Sequence, residues 1–115
     1  MLTYSRKIIK DGIMTGTDVL TSISMNIGMM VFSSVQLVWT GTPTGIIKLQ
    51  GSNDENTWTD LVELNTKIIQ PAGSAGDLLI DLNQLSFKFL RVKYTNASGS
   101  GVLNIEAHNK GTTHG

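Results

Sequence analysis

Apolar residues recur at every second position through most of this chain, and clusters of Gly, Asn, Asp and Ser interrupt the pattern. Val35, Leu37 and Trp39, for example, are each separated by one intervening residue. A period of two is typical of a β-strand with one buried face, and interruptions about every ten residues are typical of turns. The pattern therefore predicts seven to eight short antiparallel strands and little helix.

Later segments repeat this alternation and give each predicted strand an apolar face. These faces contain Ile47 and Leu49, then Leu78, Ile80 and Leu82, then Leu90, Val92 and Tyr94, and last Leu103, Ile105 and Ala107. Turn-forming residues occupy 40–45, 51–56 and 98–101, including a Pro at the first of these turns and Gly at all three. We therefore predict a β-hairpin at each of the three turns.

Seven or eight strands suit an antiparallel β-sandwich, with either a jelly-roll or an immunoglobulin-like topology, and the pattern does not choose between them. The 115 residues are enough for one domain with one core. We assign residues 15–109 to the sandwich domain and residues 1–14 to an N-terminal arm or edge strand. Residues 110–115 are expected to form a polar C-terminal tail.

Composition narrows the classes of function. Nine Lys and Arg residues balance nine Asp and Glu residues, so no net field draws the chain to nucleic acid or an anionic membrane. Cys is absent, which excludes disulfides and thiolate metal sites. No apolar run approaches the length of about 18 residues that a membrane span needs. We expect neither nucleic acid nor membrane as a partner, and no cofactor.

Candidate catalytic residues are few. The two histidines, His108 and His114, lie in or near the C-terminal tail, and no Gly-x-Ser-x-Gly turn accompanies them. A triad that uses His108 is the one catalytic alternative, and we predict no catalytic residues and no enzyme. Asn53, Asp54 and Asp60 offer oxygen ligands for Ca²⁺ without the spacing of an EF-hand, and hairpin-turn chemistry is the preferred explanation for them.

Two segments together resemble a known class of proteins. The first is residues 35–45 with Leu49 to Asp54, Asn56, Trp58 and Thr59, and the second is residues 89–95 followed by 98–101. They resemble small β-sandwich structural proteins of tailed bacteriophages, of the capsid decoration (cement) or tail accessory type. The turn at 52–58 is also similar to that of discoidin-like sandwiches.

The resemblance implies a non-enzymatic virion protein that decorates or cements a capsid, with a tail accessory subunit as the alternative. It implies a homo-oligomer, with a trimer favoured, that contacts the major capsid protein or other virion proteins. The implied location is the virion, with the capsid surface favoured, after synthesis in the bacterial host cytoplasm. The expected interface residues are the arm residues Tyr4, Arg6 and Lys7, the Met-rich pair Met29 and Met30, and the loop residues Asn53, Asp54 and Glu55.

Two alternatives stay open. Methionines in the N-terminal third either pack against identical neighbours or complete the core of the monomer. Trp39 and Trp58 are expected in the core because apolar residues flank both at a spacing of two. A carbohydrate-binding module would instead hold a sugar on Trp58 or Tyr94 with the loop at 53–56, with or without Ca²⁺.

Overall fold

The computed structural model of the chain describes residues 2–27, 32–61, 71–83 and 87–111, and all regular elements within them are β-strands. The strands are β1 (Leu2–Met14), β2 (Val19–Thr21), β3 (Met25–Asn26), β4 (Phe32–Gly41), β5 (Thr44–Ser52), β6 (Thr59–Asp60), β7 (Gly76–Asn83), β8 (Phe89–Ser98) and β9 (Gly101–Gly111). The described part contains no helix that is long and apolar enough to cross a membrane.

The strands form two antiparallel sheets. Sheet A has the order β1-β9-β4-β7, and sheet B has the order β2-β8-β5-β6, with β3 also paired to β8. Because β2 and β3 both pair with β8, they act as one interrupted strand. The described residues thus form eight strand positions, and the first lies beside the last, as in a jelly roll. The predicted sandwich is confirmed, and its topology is the jelly roll.

Two of the three predicted hairpins are wrong. The turn after β4 carries the chain from sheet A to sheet B, and the turn after β8 carries it back, so neither turn joins paired strands. The two crossovers lie side by side, where the backbone N–H of Thr42 donates to the carbonyl of Ser100 at 2.9 Å. A side chain on Gly99 would collide with the carbonyl oxygen of Thr42. Glycine therefore permits the close contact of two crossovers.

The remaining predicted hairpin, at residues 51–56, is confirmed, but only two residue pairs join its strands. Gln50 pairs with Asp60 and Gly51 pairs with Thr59, which makes β6 a two-residue strand on the edge of sheet B. The predicted continuation of this strand at 62–64 lies outside the described residues.

The core lies between the sheets and is built from the predicted apolar faces. Its members are buried apolar side chains from both sheets: Ile8, Ile9, Met14, Met25, Ile27, Val35, Leu37, Trp39, Ile47, Leu49, Ile80, Leu82, Leu90, Val92, Tyr94, Leu103, Ile105 and Ala107. Alternating positions on β4, β5, β8 and β9 face solvent or are half-buried, apart from a few buried residues at strand ends. Met14 and Met25 complete the monomer core, whereas Met29 and Met30 lie outside the described residues.

The N-terminal segment is a long edge strand of sheet A. From Leu2 to Met14 it pairs with β9, with register shifts between Lys7 and Ile9 and between Ile9 and Gly12. Its pairing partner, β9, continues to Gly111, which lies opposite Leu2. The division of the chain at residues 14 and 109 stays a prediction.

Candidate functional site

The loop between β5 and β6 holds three of the predicted site residues, Asn53, Asp54 and Glu55, and two side-chain oxygens organise it. Ser52 Oγ accepts hydrogen bonds from the backbone N–H groups of Asp54 (3.2 Å) and Glu55 (2.9 Å). Asp54 Oδ1 accepts from the N–H groups of Asn56 (2.9 Å) and Thr57 (2.7 Å). The bonds from Thr57 and Asn56, with a further one from Ser52, lower the pKa of Asp54 to about 2. The Asp54 carboxylate is therefore ionised at neutral pH and engaged by its own loop.

The same loop meets the first strand through one serine. Ser24 Oγ donates a hydrogen bond to Glu55, and the Arg6 guanidinium donates to the Ser24 carbonyl at 3.5 Å. The backbone N–H of Lys88 donates to Asn53 Oδ1 at 3.1 Å. Arg6 and Glu55, both predicted interface residues, thus lie together at one end of the sandwich, and the side chains of the loop at 53–55 are exposed.

A cleft of about 420 Å³ opens beside this loop. It is lined by polar groups and two apolar side chains, namely Gly51, Ser52, Asn53, Asp54, Thr57, Thr59, Leu61 and Phe87. The Phe87 ring lies so close to Gly51 that a Cβ on Gly51 would be 2.9 Å from it. The cleft is largely open to solvent, and its volume is enough for about one sugar ring.

An aromatic and polar cluster covers the outer surface of sheet B at the end that is near the cleft. Gln50 is buried there, donating to Asp60 Oδ1 at 2.9 Å and accepting from Arg91 Nε at 2.8 Å. The Arg91 guanidinium carbon lies 4.2 Å from the centre of the Trp58 ring, which is cation–π geometry. The bond from Gln50, followed by that from Lys48 at 3.2 Å, lowers the pKa of Asp60. The charged groups of this cluster therefore satisfy one another.

Trp58 is wrongly predicted as a core residue. It is half-buried on the outside of sheet B, with Arg91 over one face of its ring. Trp39, by contrast, is in the core as predicted, and its Nε1 donates to the Ser74 carbonyl at 2.9 Å. Tyr94 is fully buried, so it cannot serve as a platform for a sugar.

The candidate calcium ligands are engaged elsewhere. Asp54 accepts hydrogen bonds within its loop, and Asp60 accepts them from Gln50 and Lys48. Within the described ranges, no group of three or more His, Cys, Asp or Glu residues could hold a metal ion. The absence of a metal site stays a prediction, and calcium binding by Asn53, Asp54 and Asp60 stays the less favoured alternative.

One serine–histidine contact exists among the residues that the structure describes. Ser5 Oγ and His108 Nδ1 share a hydrogen bond across β1 and β9, while His114 lies outside the described residues. Ser5 is exposed, the pair is not part of the cleft, and no carboxylate among the described side chains is hydrogen-bonded to His108. A nucleophile needs an orienting group and a shaped pocket, so this contact is a cross-strand pair on a sheet surface.

The remaining predicted interface residues are spread over the fold. Tyr4 and Lys7 both lie on β1, Tyr4 opposite Asn109 and Lys7 opposite Glu106, and the side chain of Lys7 is exposed. Sequence reasoning missed the cleft-lining Phe87, because the ring is brought to Gly51 by the pairing of β5 with β8. The sequence does contain one further signal of a contact surface, because apolar residues such as Val38 and Leu79 occupy the otherwise polar face of a strand.

Similar folds occur in solved structures of viral and prophage proteins. The PBSX exported protein XepA is 14% identical with a TM-score of 0.67, and the match covers 97% of this chain and 38% of XepA. The SPBc2 prophage-derived protein YomS is 13% identical with a TM-score of 0.59, covering 93% of this chain and 91% of YomS. A structure of infectious bursal disease virus, Gx strain, is 11% identical with a TM-score of 0.59, covering 99% of this chain and 33% of the viral chain.

These likenesses show the fold, because sequence identities of this size carry no further information on function. The chain spans about two fifths of the length of XepA, by the coverage of 38%. No protein-family model matches the chain, and no curated protein sequence matches it.

Proposed function

We propose that the chain is a non-enzymatic structural subunit of a bacteriophage particle, which decorates or cements the capsid through protein–protein contacts as a homo-oligomer. A tail accessory subunit is the variant of this proposal. The observation that carries it is the jelly roll shared with a prophage-derived protein over nearly the full length of both chains.

The surface of the molecule supports this role. The outer faces of both sheets carry exposed apolar side chains, among them Ile46, Leu79 and Ile13. Exposed apolar groups on a small neutral domain are typical of surfaces that contact other proteins. The Ser5–His108 pair is the nearest approach to a catalytic arrangement among the described residues, and it has neither pocket nor acidic partner.

Gradient-purified particles of the phage that encodes the chain provide the test. Quantitative mass spectrometry of particles, compared with the particle-free lysate, should find the protein in the particle fraction at a fixed ratio to the major capsid protein. Tail-less heads, separated from complete particles, should retain it if it decorates the capsid, whereas tails should retain it if it is a tail subunit. A protein confined to the particle-free fraction would refute the proposal.

A sugar-binding module is the second candidate, and the cleft beside the β5–β6 loop is the observation that favours it. The Thr57 and Thr59 hydroxyls and the Asn53 amide could bond sugar hydroxyls, while Phe87 packs against a ring face. Glycan-array binding that Thr59→Val abolishes and Thr95→Val does not would support this candidate. Thr95 is a suitable control because it is an exposed threonine elsewhere on sheet B.

A further inference from the structure

The outer face of sheet A carries an apolar stripe. The strand registers place Ile13 opposite Val102 and place Val38 diagonally between Val102 and Leu79. The side chains of Ile13, Val38 and Leu79 are 57%, 45% and 65% exposed, and Val102 is half-buried. The solvent face of an antiparallel sheet is normally polar, so a stripe that crosses all four strands calls for a partner.

Oppositely charged side chains lie on the two edge strands of this face. Lys7 on β1 lies in the same cross-strand row as Leu79 on β7, with Glu106 next to Lys7. Asp77 and Asp81 stand on either side of Leu79 along β7, and their side chains are exposed. None of these charges forms an ion pair within 4.0 Å among the described residues, where the one such pair lies on sheet B. The face therefore has an exposed lysine at its β1 edge and two exposed aspartates at its β7 edge.

We propose that this face is a self-association surface, on which two copies of the chain pack sheet A against sheet A around a two-fold axis parallel to the strands. Such an axis reverses the strand order, so that β1 of one copy lies over β7 of the other. Lys7 then lies over the partner's Leu79, between the partner's Asp77 and the partner's Asp81. The lysine stem packs on leucine while its ammonium group reaches the carboxylates.

Symmetry makes the contact occur twice and disfavours the alternative axis through the same row of residues. A two-fold axis perpendicular to the strands, passing through the row of Lys7 and Leu79, would place Lys7 over the partner's Lys7, and it would place Asp77 over the partner's Asp81, with repulsion at both places. Packed sheets usually cross at about 30°, which moves the edge positions by a few ångströms, a distance that a lysine side chain can span. Charge complementarity thus selects the parallel axis.

The area of the outer face of sheet A determines how strong the self-association is expected to be. Four strands spaced by about 4.8 Å and about eight residues at 3.3 Å each give roughly 500 Å² for each copy, or about 1,000 Å² in total. This total is at the lower limit for specific interfaces, so we expect a reversible dimer with a Kd of about micromolar order. The proposal does not depend on the proposed function, because it concerns two copies of the chain alone.

Sedimentation velocity of the full chain over a concentration series tests the proposal. Wild-type protein should shift from monomer to dimer with rising concentration, and Leu79→Lys should weaken the association by at least about 30-fold, because it removes the apolar contact and places a second ammonium group under the partner's Lys7. The matched control is Ile46→Lys, because Ile46 is 56% exposed on the outer face of sheet B. A wild-type monomer throughout, a Leu79→Lys variant that still dimerises, or an equal loss in the control overturns the proposal.

A charge exchange tests the axis itself. Lys7→Glu and the double variant Asp77→Lys/Asp81→Lys should each be monomeric, since both contacts in either homodimer would then be repulsive. Mixed together, the two variants should form a 1:1 heterodimer by native mass spectrometry, because each of its contacts again joins acidic and basic side chains. Circular dichroism confirms that the variants fold. Homodimers of either variant, or a mixture without heterodimer, would show that the proposed arrangement is wrong.

Discussion

A buried polar junction at one end of the sandwich permits a quantitative test of the fold. Asn96 is 1% exposed, and its Nδ2 donates to the carbonyls of Gly16 (2.9 Å) and Gly99 (3.2 Å). Its Oδ1 accepts a 2.6 Å hydrogen bond from the hydroxyl of the fully buried Tyr94. One side chain therefore joins β8 to the turn after β1 and to the β8–β9 crossover.

Asn96→Ala removes all three hydrogen bonds. At about 1 kcal/mol net for each, the variant should lose about 3 kcal/mol of unfolding free energy. Tyr94→Phe removes one bond and leaves the Asn96 Oδ1 without its donor, so a loss of about 1–2 kcal/mol is expected. Because the two variants share that bond, the double variant should lose about 1 kcal/mol less than the sum of the single losses.

Equilibrium urea unfolding, followed by the fluorescence of the buried Trp39, measures these differences. The control is Asn56→Ala, an exposed asparagine in the β5–β6 loop, which should change the unfolding free energy by less than about 0.5 kcal/mol. If Asn96→Ala is as mild as this control, the reasoning that the junction stabilises the crossover is refuted.

The same junction predicts a response to alkali. Burial raises the pKa of Tyr94 above its ordinary value of 10.0, because the neutral phenol is favoured in the folded state. The resulting stabilisation is complete below pH 10 and is lost as the pH rises through the raised pKa, at up to about 1.4 kcal/mol per pH unit. Tyr94→Phe should therefore show a shallower alkaline decline in the urea midpoint than the wild type.

Three further predictions concern single positions. Gly45→Ala should cost about 2–3 kcal/mol in urea unfolding, because its Cβ would lie 2.6 Å from the Tyr94 ring and 2.5 Å from a backbone carbonyl oxygen of β8. Arg91→Ala should cost about 0.5–1 kcal/mol and shift the Trp58 emission to longer wavelength, since it uncovers one ring face. Asp54 has a lowered pKa, so its stabilisation persists above pH 3.8 and disappears as the pH falls through about 2. In the Asp54→Ala variant, the urea midpoint should therefore fall less steeply with decreasing pH in this range than in the wild type.

The buried faces of the strands are predictable because burial on one side of a sheet imposes a period of two. Leu90, Val92 and Tyr94 on β8 are all fully buried, as their alternation indicates, and the same is true of Leu103, Ile105 and Ala107 on β9. Likewise, the Asp54 turn follows from local chemistry, in which a short carboxylate accepts the N–H groups two and three residues ahead. Local sequence patterns therefore determine the turns and which face of each strand is buried.

The strand pairing is not local and could not be predicted. The turns near Pro43 and Gly99 signal a reversal of the chain, but a hairpin and a crossover between sheets need the same residue types. Likewise, β1 pairs with β9 although almost the whole chain separates them in sequence, and neither segment contains a pattern that identifies its partner strand. Trp58 was misplaced for a related reason, since the two-residue β6 is too short to carry a meaningful alternation.

The two outer faces differ in a way that the sandwich itself does not require. On sheet B, Arg91 covers Trp58 and Lys48 pairs with Asp60, so these two cations have partners within one chain. On sheet A, the charges of Lys7 and Asp77 have no ion-pair partner among the described residues, although an exposed apolar stripe adjoins them. Jelly-roll folding fixes the inward residues equally on both sheets, so selection for folding alone does not explain this asymmetry. Contact with a second molecule through sheet A does explain it, because the same residues that are unsatisfied in one chain become complementary in a pair.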